Sequence, residues 1–90
     1  MSQPVPAALD ARRRRLLFRA THRGTHETDL LIGGFVAARI HDLTDAEITA
    51  LEDVMELPDP DLADWLTGRL PVPDEFASPM LRRMLDSVRR

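Results

Sequence analysis

The apolar residues of this 90-residue chain recur mostly three or four positions apart, which is the spacing of one face of an α-helix. A first helix is predicted over residues 9–21. A second is predicted over residues 27–40, where two neighbouring apolar rows indicate a largely buried element. The apolar stripes are Leu16, Leu17 and Ala20 in the first helix, and Leu31 with Phe35 beside Ile32, Val36 and Ile40 in the second.

Two consecutive glycines, Gly33 and Gly34, lie within the second predicted helix. Each costs about 1 kcal/mol of helix propensity relative to alanine. Because glycine has no side chain, we expect this pair to let another helix approach closely.

Capping signals locate the next two helices. Thr44 and Glu47 match a capping box, so a third helix should begin after Thr44 and stop before Pro58. Asp59 is expected to cap a fourth, short helix with Pro60 at its first position. The predicted inner faces are Ile48, Leu51 and Met55 in the third helix, and Leu62, Trp65 and Leu66 in the fourth.

A fifth helix follows a linker. Gly68 should end the fourth helix, and residues 69–77 form a linker with room for one helical turn. Ser78 and Pro79 repeat the pattern of a cap followed by proline. The inner face of the fifth helix is predicted to be Leu81, Met84, Leu85 and Val88.

These elements predict the fold class. No segment alternates between apolar and polar residues with the period of a β-strand. We therefore predict an all-α protein, a compact bundle of about five short helices. Residues 1–8 are predicted to be a flexible tail, and residues 9–90 a single helical-bundle domain.

Composition narrows the classes of function. The chain contains no cysteine, which excludes disulfides, thiolate metal sites and thiol catalysis. No apolar stretch approaches the roughly 18–20 residues of a membrane span. The first residues lack the apolar core of a signal peptide. We therefore expect a cytoplasmic protein without membrane insertion.

The charges are segregated along the chain, although the net charge is only −3. Residues 1–41 carry seven arginines and three acids, residues 42–75 one arginine and eleven acids, and residues 76–90 four arginines and one acid. Such a dipolar surface suits a protein partner, or it reflects attraction between opposite faces within the bundle. A nucleic-acid binder would usually be basic overall, and Arg12–Arg15 lacks interleaved aromatic residues, so we expect no nucleic acid.

The densest polar cluster between two apolar helices is the segment Thr21–Asp29. Arg23 offers a forked donor, Glu27 offers an acceptor, and Gly24 would let another backbone come close. These residues are therefore candidates for contact with a partner. The alternative is a solvated turn in which Arg23 and Glu27 pair with each other.

Histidine spacing gives only a weak indication of metal binding. His22 and His26 lie four residues apart, as in some zinc hydrolases. That motif needs an uninterrupted helix with glutamate directly after the first histidine, whereas here Gly24 intervenes. We therefore predict no metal site.

Trp65 is the only tryptophan of the chain. We expect its ring to pack in the core with its N–H near the surface. Use of Trp65 in an interface is the alternative.

Two motifs of the chain resemble those of a known family. Arg23-Gly24-Thr25-His26-Glu27, followed by Asp29, resembles the Arg-Gly-x-x-Glu signature of the FAD assembly factor (SdhE) family, bacterial branch. About thirty residues further on, that family carries Asp-Pro-Asp-Leu-x-x-Trp-Leu, which stands here as residues 59–66. The resemblance covers about residues 12–85. Thr25 and Thr28 stand where relatives commonly carry large apolar residues.

The resemblance implies a five-helix bundle that acts as an assembly factor and is not itself an enzyme. Family members bind the flavoprotein subunit of succinate dehydrogenase, and often that of fumarate reductase, and promote covalent attachment of FAD to it. The implied partner-binding residues are Arg23, Gly24, His26, Glu27 and Asp29, and no catalytic residue is implied. We expect this chain to bind no FAD stably by itself and to act on the FAD of its client. We also expect this chain to be a monomer. The alternatives from other classes are a small arginine-rich nucleic-acid-binding protein and a metal-dependent hydrolase.

Overall fold

The computed structural model describes residues 9–88, and these contain five α-helices, one short 3₁₀ helix and no β-strand. The all-α prediction is therefore confirmed, whereas the predicted tail over residues 1–8 lies outside the described residues. The helices are α1 (Ala11–Thr21), α2 (His26–Arg39), α3 (Asp45–Met55), α4 (Asp59–Leu66) and α5 (Pro79–Val88), and the 3₁₀ helix spans Asp74–Phe76 in the linker before α5.

Side-chain caps start four of the five helices. The capping box of Thr44 and Glu47 is present at α3, as predicted. Ser78 caps α5 by accepting a hydrogen bond from the backbone N–H of Leu81 at 3.1 Å. The sequence analysis did not identify the caps of α1 and α2, which are Asp10 and Thr25. They shift the two helix starts to Ala11 and His26, within two residues of the predicted positions.

The predicted cap of α4 is wrong. Pro58 occupies the capping position without a side-chain hydrogen bond, and Asp59 is the first residue of the helix. The carboxylate of Asp59 instead accepts hydrogen bonds from the guanidinium of Arg23. A strong charged partner from another element has replaced the local cap.

The second helix is the central element of the bundle. It packs against α1, α4 and α5, and α3 packs against α1 and α5. Both apolar rows predicted for α2 face inward, with Leu31 only partly buried. The largest fully buried apolar side chains of the core are Leu16, Ile32, Val36, Ile48, Leu51, Leu62, Leu81 and Met84.

Only one of the two α2 glycines serves a close approach between helices. A Cβ atom on Gly33 would lie 2.8 Å from Cγ2 of Thr21 and 3.2 Å from the carbonyl oxygen of Ala20, so α1 crosses α2 at this residue. Gly34 is exposed, and a Cβ atom there would meet nothing within 4 Å. The prediction is thus confirmed for Gly33 and wrong for Gly34, which lies one position round the helix from the contact.

Ion pairs join the basic first helix to the acidic third. Arg12 pairs with Glu52 at 2.8 Å, and Arg19 pairs with Glu56 at 2.8 Å. The hydrogen bond from Arg12 is the largest cause that lowers the pKa of Glu52. Much of the charge segregation is therefore compensated within the bundle, and the exposed Arg19–Glu56 pair contributes little to stability by itself.

Trp65 belongs to the core, as predicted. Its side chain is buried, and its ring centre lies 5.6 Å from that of Phe76 in the 3₁₀ helix. The indole thereby holds the linker before α5 against α4. No helix within residues 9–88 has both the length and the apolar character needed to cross a membrane.

The two glycines of α2 provide a matched test of this packing. Gly34→Ala should raise the free energy of unfolding by about 0.5–1 kcal/mol, because it improves helix propensity in open space. In Gly33→Ala the added methyl group is forced against α1. This variant should therefore be about 1–3 kcal/mol less stable than Gly34→Ala. Urea denaturation followed by circular dichroism measures both. Equal stability of the two variants would contradict the close approach at Gly33.

Trp65→Ala should lower the free energy of unfolding by roughly 3–5 kcal/mol, because it empties a large site between α4 and the linker. The measurement is again urea denaturation monitored by circular dichroism, since the variant lacks the tryptophan fluorescence. Phe76→Ala is the comparison, and it should cost less because Phe76 is 38% exposed. A loss below about 1 kcal/mol for Trp65→Ala would show that the ring is not a core element.

Candidate functional site

The predicted site lies at the turn between α1 and α2, which we call the corner (residues 22–29). Gly24 has a φ angle of +108°, a backbone conformation that side-chain-bearing residues rarely adopt. This conformation reverses the chain within a few residues, so that α2 begins at His26. The exposed residues of the corner are His22, Gly24, Thr25, His26 and Glu27.

Arg23 points into the protein. Its Nε and Nη2 atoms donate to Oδ1 of Asp59 at 2.8 and 2.5 Å, and its side chain is only 10% exposed. Nη2 also lies 3.4 Å from the carbonyl oxygen of Leu57. The two family-like motifs, far apart in the sequence, therefore meet through this ion pair. The alternative in which Arg23 pairs with Glu27 is wrong.

Asp29 supports the same turn from the opposite side. Its Oδ1 atom accepts a hydrogen bond from the backbone N–H of Arg23 at 2.5 Å. Asp29 is partly buried in the first turns of α2. Asp29 thus holds the backbone of Arg23, and Asp59 holds its side chain. Together the two carboxylates fix the path of the corner.

Glu27 is directed to the surface, where Arg69 holds it. Nη2 of Arg69 donates to Oε1 of Glu27 at 3.1 Å, and Nε donates to Oδ1 of Asp64 at 3.2 Å. These bonds raise the pKa of Arg69, with Asp64 as the larger cause. Asp64 belongs to the second motif, so the two motifs are linked a second time. About half of the Glu27 side chain remains exposed to a partner.

A threonine pair closes the base of the corner. Thr28 is the one fully buried polar residue among residues 9–88. Its hydroxyl lies 2.5 Å from that of Thr25, which also accepts the backbone N–H of Thr28 at 3.2 Å. A buried hydroxyl is stable only with a hydrogen-bonding partner. The pair therefore gives the buried hydroxyl of Thr28 its hydrogen-bonding partner within the turn.

The two histidines have different surroundings. His22 stacks on Phe18 with ring centres 4.0 Å apart, and its Nδ1 lies 2.9 Å from the carbonyl oxygen of Phe18. His26 is the first residue of α2 and is exposed. Within residues 9–88, no three histidines or acids are grouped as a metal site would require.

The predicted site residues are therefore only partly brought together at one surface. Gly24, His26 and Glu27 are accessible, whereas Arg23 and Asp29 lie behind them and hold the turn. Sequence reasoning missed Asp59, Asp64 and Arg69 as parts of this site. The second motif was a signal for Asp59 and Asp64, although Asp59 was interpreted only as a helix cap, and Arg69 lies three residues beyond that motif.

The Arg23–Asp59 pair should contribute measurably to stability. Because Arg23 is almost buried, Asp59→Ala leaves its charge without a partner, and each of Arg23→Ala and Asp59→Ala should cost about 1–3 kcal/mol. The double variant should cost less than the sum of the single losses by at least about 1 kcal/mol. Urea denaturation of the four proteins gives this coupling. A coupling energy near zero would show that the pair forms no stabilising contact.

Comparison with known proteins identifies relatives along most of the chain. A family model described as Sdh5, flavinator of succinate dehydrogenase, matches residues 14–88. A protein of Acetobacter pasteurianus named FAD assembly factor SdhE is 62% identical over 81 residues, which is 90% of this chain and 74% of that protein.

Mitochondrial proteins are also similar. Succinate dehydrogenase assembly factor 2 of Dictyostelium discoideum is 36% identical over 78% of this chain and 50% of its own length. The protein of the same name in Saccharomyces cerevisiae is 32% identical over 86% of this chain and 49% of its own length. This chain thus spans about half the length of these two mitochondrial relatives. Because the family model covers both motifs and extends from within α1 to the end of α5, the chain belongs to the Sdh5 family, the flavinators of succinate dehydrogenase.

Proposed function

We propose that this protein binds the flavoprotein subunit of succinate dehydrogenase and promotes covalent attachment of FAD to that subunit. Membership of the flavinator family supports the role, and so do the names of the relatives, FAD assembly factor and succinate dehydrogenase assembly factor. We propose the flavoprotein of fumarate reductase as a second client, as the family resemblance implies.

The observation that carries the proposal is the construction of the corner. Two ion pairs and one backbone hydrogen bond, made by Arg23, Arg69 and Asp29, hold it against α4 and the start of the linker. A rigid polar turn of this kind loses little conformational entropy on binding. The exposed Glu27 carboxylate supplies an acceptor, and Gly24 presents bare backbone to a partner.

The division of roles between the corner residues follows from their burial. Glu27, His26 and Gly24 make the contact, whereas Arg23 and Asp29 position them. We propose that the chain contributes no catalytic group and holds no FAD stably on its own. The client would then supply the groups that form the flavin bond, and this protein would favour the client conformation in which they are aligned.

Two substitutions at the exposed positions test the docking role. Glu27→Ala removes a charged acceptor, which at a desolvated contact costs on the order of 2–5 kcal/mol of binding. Gly24→Arg adds a long side chain at a position where a Cβ atom would meet nothing within 4 Å. Both variants should abolish covalent flavin on the flavoprotein subunit, measured as in-gel fluorescence after denaturation in a host that lacks the wild-type protein.

Controls separate loss of docking from loss of folding. Gly24→Arg also strains the backbone by about 1–3 kcal/mol because of the positive φ angle, so its helicity and urea stability are measured in parallel. Glu75→Ala is the control for Glu27→Ala, since it removes an exposed glutamate of the 3₁₀ helix that lies in neither proposed contact surface. It should preserve flavinylation. Normal flavinylation with both Glu27→Ala and Gly24→Arg would eliminate the corner as the docking surface.

A further inference from the structure

Phe18 is the most exposed large apolar side chain among residues 9–88, with 62% of its surface accessible. It lies on the outward side of α1 and stacks on His22 with an angle of 16° between the rings. The stack holds the phenyl ring in one position on the surface. A single exposed phenylalanine has little significance by itself, so its surroundings decide its role.

Those surroundings are cationic. Arg12, Arg13 and Arg19 each form an ion pair with a carboxylate of the protein. Arg14 and Arg15 are exposed, and among residues 9–88 neither has a carboxylate within ion-pairing distance. Two cations that form no direct ion pair within residues 9–88 therefore lie one helical turn from an exposed aromatic ring. We call the α1 outer face the surface formed by Ala11, Arg14, Arg15, Phe18, Arg19 and His22.

The α1 outer face contains a shallow groove and adjoins the corner. The groove, of about 540 Å³, is lined by Ala11, Arg14, Arg15, Phe18 and Arg19. A second groove of about 220 Å³ continues from Phe18 and His22 to Arg23 and Asp59, the ion pair beneath the corner. The two surfaces are therefore continuous on one side of the molecule.

We propose that the α1 outer face is a second contact surface for the flavoprotein subunit, and that it binds a segment carrying acidic side chains beside an apolar one. The proposal rests on the function proposed above. The guanidinium groups of Arg14 and Arg15 would each donate paired hydrogen bonds to a carboxylate of the partner. The apolar residue of the partner would cover the ring of Phe18, and arginine and aromatic side chains are the residues that most often dominate such contacts.

The surrounding charges favour an acidic protein segment over a nucleic acid. Glu52, Glu56 and Asp59 border the same region through their pairs with Arg12, Arg19 and Arg23. The whole chain carries a net charge of −3. A nucleic acid would bring a continuous row of phosphates against these acids, whereas a short acidic segment needs only Arg14 and Arg15, which form no ion pair within residues 9–88.

The test measures the affinity of the full chain for the purified flavoprotein subunit of succinate dehydrogenase that lacks covalent flavin. The double variant Arg14→Glu with Arg15→Glu and the single variant Phe18→Ala should each weaken binding at least about tenfold. The wild-type affinity should also fall between about 50 and about 300 mM salt, and it should fall more steeply than that of the double variant. Isothermal titration calorimetry gives both quantities.

The matched control changes the same amount of charge elsewhere. Arg82→Glu with Arg83→Glu alters two exposed, consecutive arginines of α5, of which Arg83 pairs with Glu47, and should bind within about threefold of the wild type. Thermal unfolding of each variant shows that the folds are preserved. Equal weakening by both double variants would show a general charge effect and overturn the proposal.

The remaining outcomes separate this inference from the function on which it rests. If Glu27→Ala loses binding while the Arg14, Arg15 and Phe18 variants keep it, the corner is the docking surface and the α1 outer face is not. If the wild type does not bind the subunit, the proposed function fails as well.

A short duplex DNA is titrated in parallel. Loss of DNA binding by the Arg14 and Arg15 variant, with flavoprotein binding unchanged, would overturn the proposal in favour of a nucleic acid.

Discussion

The ion pair between Arg23 and Asp59 is the interaction on which the arrangement of the site depends. It joins the turn after α1 to the first residue of α4, and it does so from an almost buried position. A guanidinium in such a place needs a carboxylate, because an unpaired buried charge is strongly destabilising. The pair also brings the backbone carbonyl of Leu57, just before α4, close to the corner. The same contact places Asp64, whose carboxylate orients Arg69.

The rest of the bundle holds this pair in place. The second helix lies between α1, α4 and α5, and the bare backbone at Gly33 brings α1 close enough for its last residues to enter the turn. On the far side, Trp65 anchors α4 and the linker. A domain of this size has a thin core, so polar contacts between elements make up a larger part of what defines its shape.

Sequence patterns predicted the elements that depend on neighbouring residues. The capping box of Thr44 and Glu47 forms within one helical turn, and its prediction was correct. Asp59 was mistaken for a cap because its actual partner, Arg23, is separated from it by 36 positions in the chain. Periodicity placed both glycines in α2 but could not say which of them faces α1. Likewise, the family motif indicated the site residues without distinguishing Arg23 and Asp29, which are bonded within the protein, from the exposed Glu27. Their role in partner binding stays a prediction.

Because Arg23 and Asp59 are far apart in the sequence, the proposed docking surface exists only in the folded protein. A peptide that spans only the Arg-Gly-x-x-Glu segment would contain Gly24, His26 and Glu27. It would lack the carboxylate of Asp59 that holds Arg23 and the arginine, Arg69, that holds Glu27. The corner is therefore assembled by tertiary structure. If it docks the client as proposed, incomplete or unfolded copies of this protein would be poor competitors for that client.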